Sequence, residues 1–358
     1  MNAKSLGMLV FVALIVGVIA TLAVFLQQKN PSTASTKLPD VLFASLEDKV
    51  NDISQMRIEN KGETVTLSSS GNGWTVDSYE GYPARFEPVK KLIMEIAQAK
   101  PVETKTDKKD LLGRLDLDDP SPENSASLIT LSGKDGSPLA ALVIGKTDSS
   151  GQRSYVRKAG ETQAYTADKR FSVLTMGSQW VDTSIIKLPR TDVWTVTVTH
   201  PDGDQIQLWR ESPDESSFTL LNLPEGRTAK PANQIGASTS ALAFLSLTNV
   251  TKPATEAGPD ESQIEALGIT SPDPVTVEYL SFDQLKVVCT IWQAESSAWM
   301  MLHAESTSDP ASADEINSRT RGWLYEIGQY AATNMTPRLE SLLEPASPGS
   351  GPVGPAGG

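Results

Sequence analysis

The feature that most constrains this chain is a charge-free run of 21 residues near its start, beginning at Leu6 and ending at Leu26 (LGMLVFVALIVGVIATLAVFL). As a helix rising ~1.5 Å per residue, such a run reaches ~31 Å, the thickness of a bilayer's hydrocarbon core. Backbone polar groups in that core must be satisfied within their own segment, so the run predicts a transmembrane helix. A cleaved signal peptide is the competing reading. Its apolar region would be shorter, about 7–15 residues, and would end in a small-x-small site. The best such site, Thr21-Leu22-Ala23, falls inside the run. Lys4 precedes it and Lys29 and Lys37 follow, so flanking charge barely biases orientation. Export of the large C-terminal part is the simpler topology, which predicts N-in, C-out insertion. Residues 1–5 are then a cytoplasmic stub, 6–26 the anchor and 27–51 a linker.

What remains is long enough for two domains with real cores. The first 37 residues hold three lysines and no acid, so the rest carries 28 basic against 44 acidic residues, a formal charge of −16. A surface of that sign repels nucleic acid and anionic lipid, which excludes nucleic-acid partners. The lone cysteine, Cys289, lies in the apolar run Val287-Val288-Cys289-Thr290-Ile291 and reads as a small buried hydrophobe.

From Asp52 onward the pattern is strand-like. Met56 and Ile58 alternate with polar residues, Lys61-Gly62 turns, and Val65 and Leu67 alternate again, a hairpin pattern. Trp74 and Val76 start a third strand. The period then changes: Val89, Leu92, Ile93 and Ile96 mark an amphipathic helix that ends before Pro101. After a charged link over residues 103–110, strands are predicted at 128–131 and 139–144, around Tyr155-Val156, and at Tyr165.

The order then recurs. Trp194, Val196 and Val198 alternate, Asp202-Gly203 turns, and Ile206 and Leu208 return. Phe218 stands where Trp74 stood, and residues 241–247 read as helical. Leu267-Gly268-Ile269 with Pro272 repeats Leu115-Asp116-Leu117 with Pro120 at an offset of 152. Val275 and Val277 parallel Leu128 and Leu131. Trp299-Met300 parallels Tyr155-Val156, and Leu324-Tyr325 parallels Ala164-Tyr165. The expected fold class is α+β: a transmembrane helix, then two tandem repeats of an antiparallel sheet with a helix, over residues 52–190 and 191–344. Residues 345–358, almost wholly Pro, Gly, Ser and Ala, read as a disordered tail.

The order Gly73-Trp74-Thr75-Val76, Tyr82-Pro83-Ala84 before a helix, Leu115-Asp116-Leu117 with Pro120, a strand ending in Ile144-Gly145, then Tyr155-Val156 and Tyr165, resembles the domain-of-unknown-function 4340 family. The resemblance covers most of residues 53–340, taken twice. It is weaker in the second half, where Ile-Gly becomes Cys289-Thr290 and Tyr-Val becomes Trp299-Met300. It implies a membrane-anchored protein of the bacterial envelope, in the neighbourhood of ABC-type transport systems of the gliding-motility auxiliary kind. It brings no catalytic residues.

Motifs that would carry chemistry are incomplete. His200 and His303 have no metal-ligand spacing. Asp116, Asp118 and Asp119 lack the glycine and glutamate of a calcium loop. Gly145-Lys146-Thr147 lacks the first glycine of a phosphate-binding loop, since Ala140 stands there. Ser184 and Lys187 match S-x-x-K without its K-T-G or S-D-N partners. Asn249-Val250-Thr251 and Asn334-Met335-Thr336 are glycosylation sequons, which matter only on a eukaryotic secretory route. No catalytic residue, cofactor site or metal site is therefore assigned. The expected role is a non-catalytic accessory or scaffold protein of the bacterial inner membrane, anchored through residues 6–26, with a periplasmic body and an ABC-type transport or envelope-assembly partner. The alternative is an envelope module binding glycan or peptide through Trp292, Trp299, Trp323 and Tyr325.

Overall fold

The computed structural model describes residues 38–69, 71 and 73–345. The expected anchor at 6–26 and the expected tail beyond residue 345 lie outside the described residues. Among the described residues no helix is long and apolar enough to cross a membrane. The chain is α+β, with two large antiparallel sheets, and divides into two compact units between Asp182 and Thr183.

Unit 1 holds β1 (Ile53–Asn60), β2 (Glu63–Ser69), β3 (Trp74–Val76), β4 (Tyr82–Pro83), α1 (Phe86–Ala97), β5 (Pro101–Thr104), β6 (Ser127–Gly133), β7 (Pro138–Thr147), β8 (Ser154–Lys158) and β9 (Ala164–Ala167). Its nine strands lie in the order β4-β3-β2-β1-β6-β7-β8-β9-β5. The hairpin closes through Lys61 and Gly62, both at positive φ (50° and 80°), the twist a two-residue loop needs. Helix α1 buries the predicted stripe Val89, Leu92, Ile93 and Ile96, with Pro88 tolerated in its first turn. Of the expected linker, residues 27–51, only 38–51 lie among the described residues, and these are built onto unit 1. Leu42 and Leu46 are buried, the Leu42 amide donates to Ala99 O at 2.8 Å, and Glu47–Asp52 forms a 3₁₀ helix.

Unit 2 holds β10 (Ser184–Ile186), β11 (Val193–Thr199), β12 (Gln205–Trp209), β13 (Thr219–Leu220), α2 (Ala232–Ile235), β14 (Leu245–Thr251), α3 (Glu261–Ala266), β15 (Val275–Ser281), β16 (Leu285–Gln293), β17 (Ser297–Ser306), α4 (Pro310–Thr320), β18 (Leu324–Gly328) and α5 (Gln329–Met335). The sheet order is β10-β14-β18-β17-β16-β15-β11-β12-β13. Read from its other end, this is the order of unit 1 over eight strands, with β14 in the place of β5. Residues 241–247 are not one helix. A 3₁₀ segment, Ser238–Phe244, gives way at Leu245 to β14. The i, i+3 pair Leu242 and Leu245 that mimics a helix straddles that junction.

The ladders also slip at matching points. β1 skips a residue against β6 between Ile53 and Gln55, and β11 does so against β15 between Val193 and Thr195. β5 slips against β9 between Pro101 and Glu103, and β14 against β18 between Leu247 and Asn249. Register then makes Tyr155-Val156 equivalent to Trp299-Met300, and Tyr165 to Tyr325. Two sequence pairings need correction. Val275 and Val277 match Ser127 and Ile129, and Ile144-Gly145 matches Ile291-Trp292.

One face of each sheet is covered by a short helical segment with the same ending. Asp116 (φ 56°) and Gly268 (φ 65°) are left-handed. Leu117 N–H returns to Leu112 O at 3.1 Å, and Ile269 N–H to Ile264 O at 3.0 Å. This is the six-to-one bond of a Schellman ending, which satisfies an otherwise orphan carbonyl. It drops Leu117 and Ile269 into small apolar clusters on their sheets.

Candidate ligand cleft

In unit 1 that sheet face is closed. Val143 and Ala159 are buried in the cluster with Leu117. Beside them Arg157, also buried, donates from Nε to Leu117 O at 2.8 Å and from Nη2 to Asp119 Oδ1 at 2.7 Å. Unit 2 departs from this at each of the three positions. Register places Thr290 where Val143 stands, Met301 where Arg157 stands and His303 where Ala159 stands. The result is a cleft of about 610 Å³.

Thr290 on β16 and Met301, His303 and Glu305 on β17 line it, the last three on one side by strand alternation. Asn317 and Thr320 at the end of α4, then Arg321, Gly322 and Trp323, form one wall, and Pro253, Glu256 and Ala257 also line the cleft. Helix α4 is what makes this possible. It fills the connection between β17 and β18, where unit 1 has only a short turn between β8 and β9. Pro310 opens it, and Asn317 holds it to the sheet by accepting from Ala304 N and donating to Ala304 O, both at 2.8 Å. Gly322, at φ 79°, turns the chain back into β18.

His303 Nε2 lies 3.6 Å from Glu305 Oε1, and both side chains are more than half exposed. The Lys252 ammonium stands 5.6 Å from the Trp323 ring centroid, a cation–π contact. The cleft thus offers acceptors from Glu256 and Glu305, donors from Arg321, an imidazole and an indole wall.

The other predicted candidates are placed as follows. Trp292 and Trp299 are buried, their indole N–H groups donating to Pro272 O (3.1 Å) and Leu267 O (3.3 Å). Tyr325 is fully buried. The expected aromatic groove therefore reduces to Trp323. Ser184 sits on edge strand β10 and Lys187 just beyond it. On extended chain, residues three apart project to opposite sides, unlike the helical turn an S-x-x-K pair needs. His200 is buried, with Nε2 3.0 Å from Pro337 O, so it pins a loop. Asp116 and Asp119 belong to the helix-end turn and accept from Ser125 (2.7 Å) and Arg157. Among the described residues no group of three or more His, Cys, Asp or Glu is placed to hold a metal. Cys289 is buried, which pushes its thiol pKa well above the usual range. Sequence reading missed His303, Glu305, Thr290, Arg321 and Glu256 as a group. Only the ladder register and α4 bring these separated segments together.

A family model described as Domain of unknown function (DUF4340) matches residues 74–266, from β3 of unit 1 to α3 of unit 2. No curated protein and no solved structure matches the chain. The matched span covers more than half of the sequence, and the chain belongs to the DUF4340 family.

Proposed function

We propose that this protein is a non-catalytic accessory subunit of the bacterial cell envelope. It is anchored in the inner membrane by residues 6–26, N-in and C-out, with both units in the periplasm. Its role in this reading is to scaffold an ABC-type transport or envelope-assembly machine. The observation that carries the reading is the pair of like-ordered sheets with matching bulges, which supports an internal duplication. Two similarly built bodies in one chain suit the holding of two partners, or of one partner with pseudo-symmetry. The 21-residue apolar run supports the anchor, and the acidic balance supports a protein partner over nucleic acid.

The test is twofold. Protease added to intact spheroplasts should digest the body and leave a membrane-retained N-terminal stub. Co-purification from native membranes in mild detergent should return transporter subunits. A mature chain that is freely dissolved and lacks its first two dozen residues would overturn the anchor, and repeated purification without a membrane partner would overturn the scaffold role.

A further inference from the structure

We propose that the unit 2 cleft is a saccharide-binding site. The two units diverge at this face. At equivalent ladder positions unit 1 keeps Val143 and Ala159 buried and fills the remaining space with Arg157, whereas unit 2 carries Thr290, His303 and the uncharged Met301. Exchanging buried apolar groups for polar ones gives up packing, and adding α4 lengthens a turn to an 11-residue helix. His303 is left more than half exposed, and α4, which lies on β17 through Asn317 and buries Ala313 and Thr320, also walls the cleft. Both changes make sense if the opened space receives a ligand.

The chemistry of the walls selects the ligand class. A volume of about 610 Å³ holds a molecule of one or two rings. An anionic ligand would meet Glu256 and Glu305, and a cationic one would meet Arg321. An uncharged ligand dense in hydroxyl groups meets neither obstacle. Each sugar hydroxyl both donates and accepts, which matches carboxylate acceptors beside guanidinium and imidazole donors. The C–H face of a pyranose is apolar and flat enough to lie on Trp323, the one indole that lines the cleft. Lys252 over that ring and Asn317 clamped to Ala304 hold two of the walls in place before a ligand arrives.

The inference does not depend on the scaffold role, because binding is read on the purified chain alone. The full chain is kept in a detergent with no sugar headgroup and titrated with maltose, cellobiose and the β-linked N-acetylglucosamine disaccharide. Intrinsic tryptophan fluorescence and saturation-transfer NMR report binding. We expect at least one disaccharide to bind saturably with Kd at or below about 1 mM. Trp323→Ala and Glu305→Gln should each weaken it about tenfold or more. Glu305 is more than half exposed, so Glu305→Gln should leave the melting curve unchanged and keeps the test decisive if Trp323→Ala folds poorly. Failure of all three sugars to bind overturns the proposal. So does binding that Glu305→Gln leaves unchanged, or displacement of the sugar signal by a short uncharged peptide at lower concentration than any sugar.

Discussion

Substituting Gly145 by alanine tests the closeness of the helix-end turn to the sheet in unit 1. A Cβ there would stand 2.1 Å from Leu115 O, 2.8 Å from Asp116 O and 3.0 Å from the Leu117 side chain. Ordinary C···O approach is about 3.3 Å or more, so the Leu115 carbonyl must retreat by about 1.2 Å and that of Asp116 by about 0.5 Å. They belong to backbone, not to the end of a flexible side chain. Asp116 is already left-handed, and Leu117 is fully buried and bonded back to Leu112. Moving the turn therefore loosens the cluster it caps. Overpacking of this kind costs about 3 kcal/mol. With a urea m-value of about 2 kcal/mol/M, the transition should fall by ~1.5 M at unchanged slope. The control is Gly328→Ala, where no atom lies within 4 Å of the added carbon and φ is −64°; it should shift stability by less than ~0.5 kcal/mol. Urea unfolding of the full chain in detergent, followed by fluorescence, measures both. A Gly145→Ala midpoint within ~0.25 M of the parent would refute the argument. Unit 2 meets a similar close approach with the glycine on the other side: Trp292 occupies the strand position, and a Cβ at Gly258 would stand 2.6 Å from its ring.

Arg210→Lys should lower the melting temperature of unit 2 by about 9 °C, from a loss of about 3 kcal/mol. The guanidinium donates to five carbonyls, of Val193, Pro213, Glu215, Arg190 and Thr191, and lies 5.0 Å and 5.1 Å from the Phe218 and Phe282 rings, which an ammonium cannot reproduce. A change under ~2 °C in differential scanning fluorimetry would contradict this. Acid should release the C-terminal segment. Hydrogen bonds from Arg338 and Arg227 hold the Asp202 and Glu340 carboxyls below their usual range. Their contribution is therefore complete above the unfolded carboxylate values, near pH 4, and is lost as pH falls through the lower folded ones. Amide exchange, corrected for intrinsic rates, should show Leu343 and Glu344 losing protection as pH falls below ~4, and constant protection down to pH ~2 would count against the clips. Cys289 should resist a thiol reagent at pH ~8 until the chain unfolds, because burial both hides the sulfur and disfavours its thiolate. Labelling within minutes of the folded protein would show the strand to be open.

The parts of the fold that the sequence discloses are those where burial enforces a period. Met56/Ile58 with Val65/Leu67 and the α1 stripe face cores, so hydrophobicity reports them directly. The Leu115 and Leu267 turns are legible because a left-handed residue between a partly buried and a buried apolar one admits few side chains. Edge elements are not legible. β5 carries Glu103 and reads as a charged link, since an edge strand has water on one side and tolerates charge. α4 has one large apolar residue, Ile316, and hence no stripe. The same logic governs the site. Among four candidate aromatics only three-dimensional burial singles out Trp323, and the mispairings, by one residue at Val275 and by two at Gly145, come from connections whose lengths differ between the units.

The place of β10 has a practical consequence for anyone dividing the molecule. The strand that completes the second sheet is drawn from the stretch that leads away from the first unit, with Ser184 against Ser246 and Ile186 against Leu245. Cutting at residue 191, where alternation resumes, would strip β14 of one of its two neighbours and turn the freed edge into a sticky template for other chains. A fragment intended to stay soluble should begin no later than Thr183, whose carbonyl already receives the Leu247 amide at 3.0 Å.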